Sequence, residues 1–509
     1  MTREQIPMGK VYLVGAGPGD PGLITLRGAE CLRRADVVLY DYLVNPRILK
    51  HARADAELSC LGKHGSTRLW TQHEINEAIV ELAHAGRTVV RLKGGDPAVF
   101  ARGAEEVETL VRHGIPFEIV PGITVALAAG SYCGIPITHR DLASAVALVT
   151  GQERHGKEAS ALDYESLARF PGTLVFYMGV TTVDEWTASL IAAGKDPATP
   201  AAIVRRCSWP DQRTIHCRLD EVAGRVAEER LRPPTIVLVG DVVNLGPAMS
   251  WFDKRPLFGR RVLVTRPDHQ AEALASLLEE AGAETLVQPA IAIEPPDDWT
   301  EVDAALHRLG EFDWLVFSSA NGVRYTLRRL ADLGLDARAL GGVRLATIGP
   351  GTTEALAEFH LRGDLQPNEY RAEALAEALA GDASGQRFLL ARASRGREVL
   401  AETLRAAGGL VEQVVVYRSS DVTQPDEAIC EQLDRGRIDW VTVTSSAIAR
   451  ATATMFGDSL RRTRLASISP ITSETLEQLG FQVSCEATEY TMPGVVRAMV
   501  EAESQSDRH

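Results

Sequence analysis

The chain is predicted to be α/β and built in two halves, on three observations. Short β-branched runs alternate with helical stretches between Val11 and about Asn244, and loops bearing glycine or proline follow many of those runs. After a break rich in proline and glycine a second series of the same kind begins, and it contains an internal repeat. The strands of the first half are VYLVG, DVVLY, TVVRL, FEIV, AVALVTG, TLVFYM, AAIVRRC and TIVLVGDVV. A helical pattern follows the first of them from Leu23. Thr71 and Glu74 in TQHEINEAIVELAHAG make a capping box that starts another helix, and Gly86 is placed to end it. The stretch LGPAMSWFDKRPLFGRR, Leu245 to Arg261, then interrupts the alternation, so the major boundary falls there and a new strand starts at RRVLVTRP.

In the second half FDWLVFSSANGVRYTLRRL from Phe312 resembles IDWVTVTSSAIARATATMF from Ile438. Each is followed by a small-residue turn, LATIGPGTTEAL or LASISPITSETL. Two similar lobes follow, joined by the extended segments VQPAIAIEPP near Pro289 and VEQVVVYRSS near Tyr417, with the cleft as the default ligand site. Repetition alone also fits a purely structural duplication.

Composition bounds the function. With 45% hydrophobic and 24% charged residues over 509 positions, the chain can fill several full cores. A net charge of −14 argues against a nucleic-acid carrier, while leaving room for a local basic pocket. The seven cysteines include no CxxC, and Cys207 and Cys217 are the closest pair, which predicts reduced thiols and no metal site. The N-terminus has no apolar signal core, and no run of about 18 apolar residues occurs, so a cytoplasmic protein with no membrane partner is expected.

The loop GAGPGD opens like a dinucleotide-binding turn, with Gly15, Gly17 and Gly19 after a strand. Inside it Asp20, Pro18 and Pro21 stand where a pyrophosphate needs free N–H groups and no negative charge. Three more loops, LKGGDPAVFARG, VPGITVALAAG and GIPITHRD, also follow strands, and Asp96 repeats the choice of a carboxylate. Each loop read by itself is a strand-to-helix turn. Together they suit a cation and ribose hydroxyls, a description that S-adenosylmethionine meets. In the second half Ser318, Ser319, Thr352, Thr353, Thr444, Ser445 and Thr472 fall near strand ends, with Arg266, Arg392, Arg395 and Arg418 beside them. They make a mild anion-binding cleft without a nucleophile–base pair.

The ordered set GAGPGDPGLIT, VVLYDYLV, LGKHG, VRLKGGDPAVFARGAEE, EIVPGITVALAA, GIPITHRD, LVFYMG and PTIVLVGDVV resembles the uroporphyrinogen-III C-methyltransferase branch of the tetrapyrrole methylases. The resemblance implies a two-lobed tetrapyrrole methylase fold over 8–246, a homodimer, and S-adenosylmethionine as methyl donor with no metal. It implies donor contacts from Pro18, Gly94, Gly95, Asp96, Val99, Thr124, Val125, Met178 and Cys207, with Cys207 replacing an expected glycine and Val125 a usual Ser or Ala. Asp41 and Lys63 look like the family's proton acceptor and donor, and Arg102 is an alternative; each also reads as a surface ion pair. Arg91, Lys93, Arg102, His139 and Arg140 are the implied partners of the substrate's carboxylates.

The run RRVLVTRP, LVFSSANGV, TIGPGTTEAL, LLARASRGREVLAETLRAAG, VVVYRS and SETLEQLGFQV resembles uroporphyrinogen-III synthase over 259–500, after a linker at 247–258 and with hinges near 289–296 and 413–420. The resemblance puts Tyr417 where a tyrosine assists loss of the terminal hydroxyl of hydroxymethylbilane; a hinge tyrosine packed between lobes is the other reading. Ser319, Thr352, Ser445 and Thr472 would bind substrate carboxylates, with the SISPITS turn departing from the family at Ser469 and Ile471. Together the two resemblances imply a bifunctional enzyme that makes uroporphyrinogen III and methylates it twice, at C2 and C7, to precorrin-2, for siroheme or cobalamin. The alternative is a methyltransferase carrying a non-catalytic tetrapyrrole-sensing module.

Overall fold

The computed structural model describes residues 7–62, 70–153, 161–396 and 398–506. The chain divides into two compact units, 1–260 with 278–284 and 261–277 with 285–509.

The first unit holds two five-stranded sheets. One is formed by β1 (Val11–Gly15), β2 (Val37–Tyr40), β3 (Glu57–Cys60), β4 (Val89–Lys93) and β5 (Phe117–Val120), in the order β3-β2-β4-β1-β5, with every pair parallel. Its central strands β1 and β4 are buried along their whole length, which is why β1 reads as an unbroken apolar run, while β4 carries Arg91 and Lys93 inward. The other sheet is formed by β6 (Val146–Thr150), β7 (Thr173–Tyr177), β8 (Pro200–Arg205), β9 (Arg213–Arg218) and β10 (Thr235–Val239), in the order β6-β7-β10-β8-β9. Here β10 runs antiparallel to both neighbours, so β7 and β8 point the same way and end at the same edge.

The strands β3 and β9 escape the sequence pattern because both lie at sheet edges and contain only exposed and half-buried residues. The helix after β1 starts later than Leu23. Pro21–Leu23 is a single 3-10 turn and the α-helix is Leu26–Arg34, capped by Thr25, whose hydroxyl accepts the Gly28 N–H at 3.0 Å. Helix Gln72–His84 carries the expected capping box, and Gly86 follows it at φ +78°.

The second unit also has two five-stranded sheets. The first takes β11 (Arg261–Val264) and β12 (Glu284–Val287), and the chain then leaves it for β13 (Ile291–Glu294), β14 (Trp314–Phe317), β15 (Arg344–Thr347), β16 (Arg387–Ala393) and β17 (Leu410–Asp421). It returns with β18 (Trp440–Val443), β19 (Arg464–Ser467) and β20 (Cys485–Glu486), giving the orders β12-β11-β18-β19-β20 and β13-β17-β16-β14-β15. The two crossing segments pair with each other: β13 and β17 form an antiparallel ladder from Ile291 opposite Asp421 to Glu294 opposite Arg418. The internal repeat is two copies of strand, helix, strand, helix. One runs β14, Ala320–Asp332, β15, Pro350–Ala357; the other runs β18, Ser446–Phe456, β19, Pro470–Gln478.

The residues at the two expected domain ends are packed into the fold. Residues 247–258 are not a free linker, because Phe252 and Leu257 are buried at 1% and 0% exposure and the Trp251 indole donates to the Ser131 carbonyl at 2.8 Å. Phe252 packs among Tyr132, Trp251 and Phe258, at 4.6 Å between its ring and that of Tyr132. At the other end, helix Met492–Ser506 runs past 500, and Glu503, 3% exposed, accepts the Trp440 indole N–H at 2.7 Å. No helix among the described residues is long and apolar enough to cross a membrane.

Truncating Phe252 to Ala should therefore destabilise the first unit by about 3–5 kcal/mol, as for a core aromatic, where a linker residue would cost almost nothing. Urea denaturation followed by tryptophan fluorescence reads the difference.

Candidate active sites

In the first unit the glycine loops meet at the carboxyl ends of β1, β4 and β5, where a parallel sheet opens its crevice. Gly17 and Gly95 exchange backbone hydrogen bonds, N–H to O at 3.2 and 2.8 Å. A Cβ on Gly15 would lie 2.6 Å from Gly122 Cα, and one on Gly122 would lie 2.2 Å from the Gly95 carbonyl oxygen. Three loops thus stack main chain on main chain, which glycine alone permits.

The two carboxylates of these loops also hold the loops themselves together. Asp96 accepts the Ala98 N–H at 2.7 Å and the Gly122 N–H at 3.0 Å, tying the loop after β4 to the loop after β5. Asp20 accepts the Gly22 N–H and the Tyr132 hydroxyl, both at 2.8 Å, and its own N–H donates to Ser208 Oγ at 3.1 Å. Burial first, and then donation to Asp20, push the Tyr132 phenol well above its ordinary value. The Pro18 and Gly19 carbonyls accept from the Trp209 indole at 3.1 Å and the Asn45 amide at 2.8 Å, so the whole GAGPGD loop is clamped.

The second sheet of this unit brings Tyr177, at the end of β7, to the same place. Its hydroxyl is 2.8 Å from Thr124 Oγ1 and accepts the Ala126 N–H at 3.0 Å, and its ring lies 5.0 Å from that of Phe100. Val99 and Val125 pack beside this group. Five of the seven non-glycine residues with positive φ among the described residues, Phe100, Arg102, Met178, Arg206 and Ser208, belong to the loops after β4, β7 and β8. Strained backbone gathers where side chains are held for function. Cys207 is 2% exposed with its thiol packed in the lobe interior against Cys133, which leaves its backbone as the part placed at the strand end.

Behind the crevice lies a buried ion cluster. Glu106, 1% exposed, accepts from Lys93 Nζ at 2.7 Å and from Arg91 Nε at 3.1 Å, and Arg91 Nη2 reaches Asp41 Oδ1 at 2.6 Å. Burial, reinforced by Arg91, pulls the Lys93 ammonium below its ordinary value. Arg91 and Lys93 are each 2% exposed and already paired, so the expectation that they meet substrate carboxylates is corrected. Glu106 is the residue that sequence reasoning missed. The signal was present in VVRLK, where Arg91 and Lys93 share one face of a buried strand and so demand a counter-charge. Asp41 keeps some of its carboxylate open, with its side chain 29% exposed. Lys63 lies outside the described residues. Arg102, in left-handed conformation at φ 54°, pairs on the surface with Glu105 at 2.6 Å. His139 opens a tight turn closed by Ala143, its Nδ1 accepting the Asp141 N–H at 3.2 Å, and Arg140 is exposed at the turn.

In the second unit the repeat places Ser319 and Ser445 at matching helix starts. Each is an N-cap, accepting the Gly322 N–H at 3.0 Å and the Ile448 N–H at 3.2 Å. Thr352 and Thr472 occupy matching first turns but are 5% and 2% exposed, because both lie on the packed side of their helices. Their expected contact with substrate carboxylates is corrected for this state; the open position is Ile471, 71% exposed. Tyr417 is 7% exposed, stacks on Tyr325 at 5.7 Å between rings, and places its hydroxyl 3.0 Å from Ser319 Oγ. Burial raises its phenol, and hydrogen bonding from Ser319 and Asn321 opposes the shift without cancelling it. Asn321 was also missed: its Oδ1 accepts from Gln270 Nε2 and meets His269 Nε2, both at 3.0 Å, across the two lobes of the unit. The clue was a break in the repeat, where Asn321 stands opposite Ala447.

With that geometry in place, the chain matches two family models: Tetrapyrrole (Corrin/Porphyrin) Methylases over residues 10–223, and Uroporphyrinogen-III synthase HemD over residues 272–497. A porphyrin biosynthesis protein HemD of Ruminiclostridium josui is 34% identical over 501 residues, covering 98% of this chain and 97% of that protein. A uroporphyrinogen-III C-methyltransferase of Bacillus subtilis is 40% identical over 357 residues, 70% of this chain and 72% of that one. Among solved structures, a Thermus thermophilus uroporphyrin-III C-methyltransferase complexed with S-adenosyl homocysteine is 45% identical over 47% of this chain and all (100%) of its own, with a TM-score of 0.40.

Replacing Glu106 by Gln leaves the buried Lys93 without a counter-charge and Arg91 with Asp41 alone, and should cost about 3–5 kcal/mol of stability. The double variant Glu106→Gln, Lys93→Met should recover some of that loss. Denaturant midpoints of the two variants against the parent chain check both signs.

Proposed function

The chain belongs to the tetrapyrrole methylases through its first half and to the uroporphyrinogen-III synthases through its second, and from that premise we propose how its two sites act. It is a bifunctional enzyme of tetrapyrrole biosynthesis. In our reading the second half cyclises hydroxymethylbilane to uroporphyrinogen III, and the first half methylates that product at C2 and C7 to precorrin-2. The observation that carries this is the continuous likeness over 501 residues to a relative spanning both halves.

In our reading S-adenosylmethionine binds in the first crevice beside main chain at Gly94 and Gly95, near Thr124 and Val125, and the adjacent rings of Phe100 and Tyr177 supply π faces that would favour its sulfonium cation. When bound, it supplies an electrophilic methyl group. The residues of the chain position the pyrrole carbon in line and receive a ring proton, for which Asp41 is the candidate, held by Arg91. In the second site Tyr417 donates its phenolic proton toward the departing hydroxyl while Ser319 holds the phenol in place. Lys63, Arg102, His139 and Arg140 keep their family-implied roles as proposals. The same reading takes the protein to be a cytoplasmic homodimer; the apolar side chains Leu26, Ile119 and Leu127, exposed on the first unit, support an interface there.

Hydroxymethylbilane given without S-adenosylmethionine should yield isomer III, and with it a dimethylated dihydro-product; isomer I alone would refute the synthase reading. Tyr417→Phe should lower kcat for isomer III by about 10²-fold or more. Because the phenol is raised above 10, it stays protonated at neutral pH, and its contribution should disappear only as pH rises beyond that value. A pH–rate profile with an alkaline limb well below pH 10 that vanishes in Tyr417→Phe would contradict the assignment.

A further inference from the structure

Arg266 follows β11 and reaches the junction of the two lobes of the second unit. Its Nη2 donates to Gln270 Oε1 at 2.9 Å, and Gln270 in turn donates to Asn321 of the opposite lobe. Its Nη1 meets the Met492 thioether at 3.2 Å, a weak acceptor, and its Nε is buried with no partner. Among the described residues no carboxylate forms an ion pair with it, whereas the other arginines that sequence placed at this cleft are all neutralised. Arg392 pairs with Glu398, Arg395 with Asp421, and Arg418 with Asp297 and Glu294. Burial works against the charge of the guanidinium.

A desolvated guanidinium without a counter-charge is costly unless an anion completes it. The surroundings favour an anion: Arg266 lies at the start of helix Asp268–Glu280, and Met492 begins helix Met492–Ser506, so two helices direct their positive ends at the same place. The planar fork, with Nε unpartnered and both Nη atoms held only by neutral groups, has the donor pattern that a carboxylate satisfies.

We propose that Arg266 is a substrate-carboxylate receptor at the lobe junction, taking one acetate or propionate side chain of the linear tetrapyrrole. The proposal rests on the synthase reading of this half. Gln270 and Asn321 carry the docked guanidinium to the neighbourhood of Tyr417 and Ser319, so binding one carboxylate also braces the lobes around the reacting end.

The test uses the full chain with hydroxymethylbilane, comparing the parent with Arg266→Met and Arg266→Lys. Arg266→Met should raise KM for isomer III about tenfold or more, with kcat changed by no more than a few-fold. Arg266→Lys should fall between the two. Without substrate, Arg266→Met should melt at a higher temperature than the parent, because an uncompensated charge has been removed; a merely structural arginine would give the opposite sign. An unchanged KM in an active Arg266→Met chain, or a lowered melting temperature, overturns the proposal while leaving the synthase reading intact. Failure of the parent chain to form isomer III overturns both.

Discussion

The Asp96 carboxylate is the joint on which the first site depends. By accepting the Ala98 and Gly122 N–H groups it locks the loop after β4 to the loop after β5, and Gly95 in the same turn exchanges hydrogen bonds with Gly17 after β1. Hydrogen bonds to a charged acceptor are worth about 1.5–3 kcal/mol each, enough to hold loops that cannot hold themselves by packing. The close approach of Gly15, Gly95 and Gly122 leaves no room for side chains between those loops. Whatever binds in the crevice therefore meets a surface of main chain whose positions were set before it arrives. Such preorganisation is what a methyl transfer needs, since its catalysis is mostly alignment.

Asp20 fixes the neighbouring loop in the same way, and Trp209, Ser208 and Asn45 complete the clamp. The contrast with the ion cluster of Asp41, Arg91, Lys93 and Glu106 is instructive. There, charges are neutralised inside the fold, and only Asp41 keeps an open side. The charges behind the crevice are thus tuned close to neutrality, two cations against two carboxylates.

Much of the fold was legible because buried parallel strands leave unbroken apolar runs, and capping chemistry as explicit as Thr71 with Glu74 specifies a helix start without tertiary help. The edge strands β3 and β9 were not legible, since half-exposed strands lose that signature. At the sites, residue types were readable and partners were not. A carboxylate in a glycine loop looks the same in sequence whether or not it also ties down backbone amides, so the loop-holding bonds of Asp20 and Asp96 were not legible. Likewise Phe252 and Leu257 lie among prolines and glycines that suggest a linker, and only their packing reveals a core role. Arg91 and Lys93 show the reverse case, where the period of a strand already implied a missing acid.

The duplicated lobe makes a final point about where chemistry resides. Both copies carry a capping serine, Ser319 or Ser445, and both pair hydroxyls in the next turn, Thr347 with Thr353 and Ser467 with Ser473. Those shared features fold the helix starts in both copies. Reaction requires asymmetry, and it is found at the positions where the copies differ. Asn321 replaces the alanine of its counterpart, Tyr417 stands on one crossing strand beside a β-bulge, and Arg266 lies at the start of a single lobe. A linear substrate has two different ends, so a cleft that closes it must distinguish them. The repeat supplies the frame, and these unrepeated side chains supply the direction.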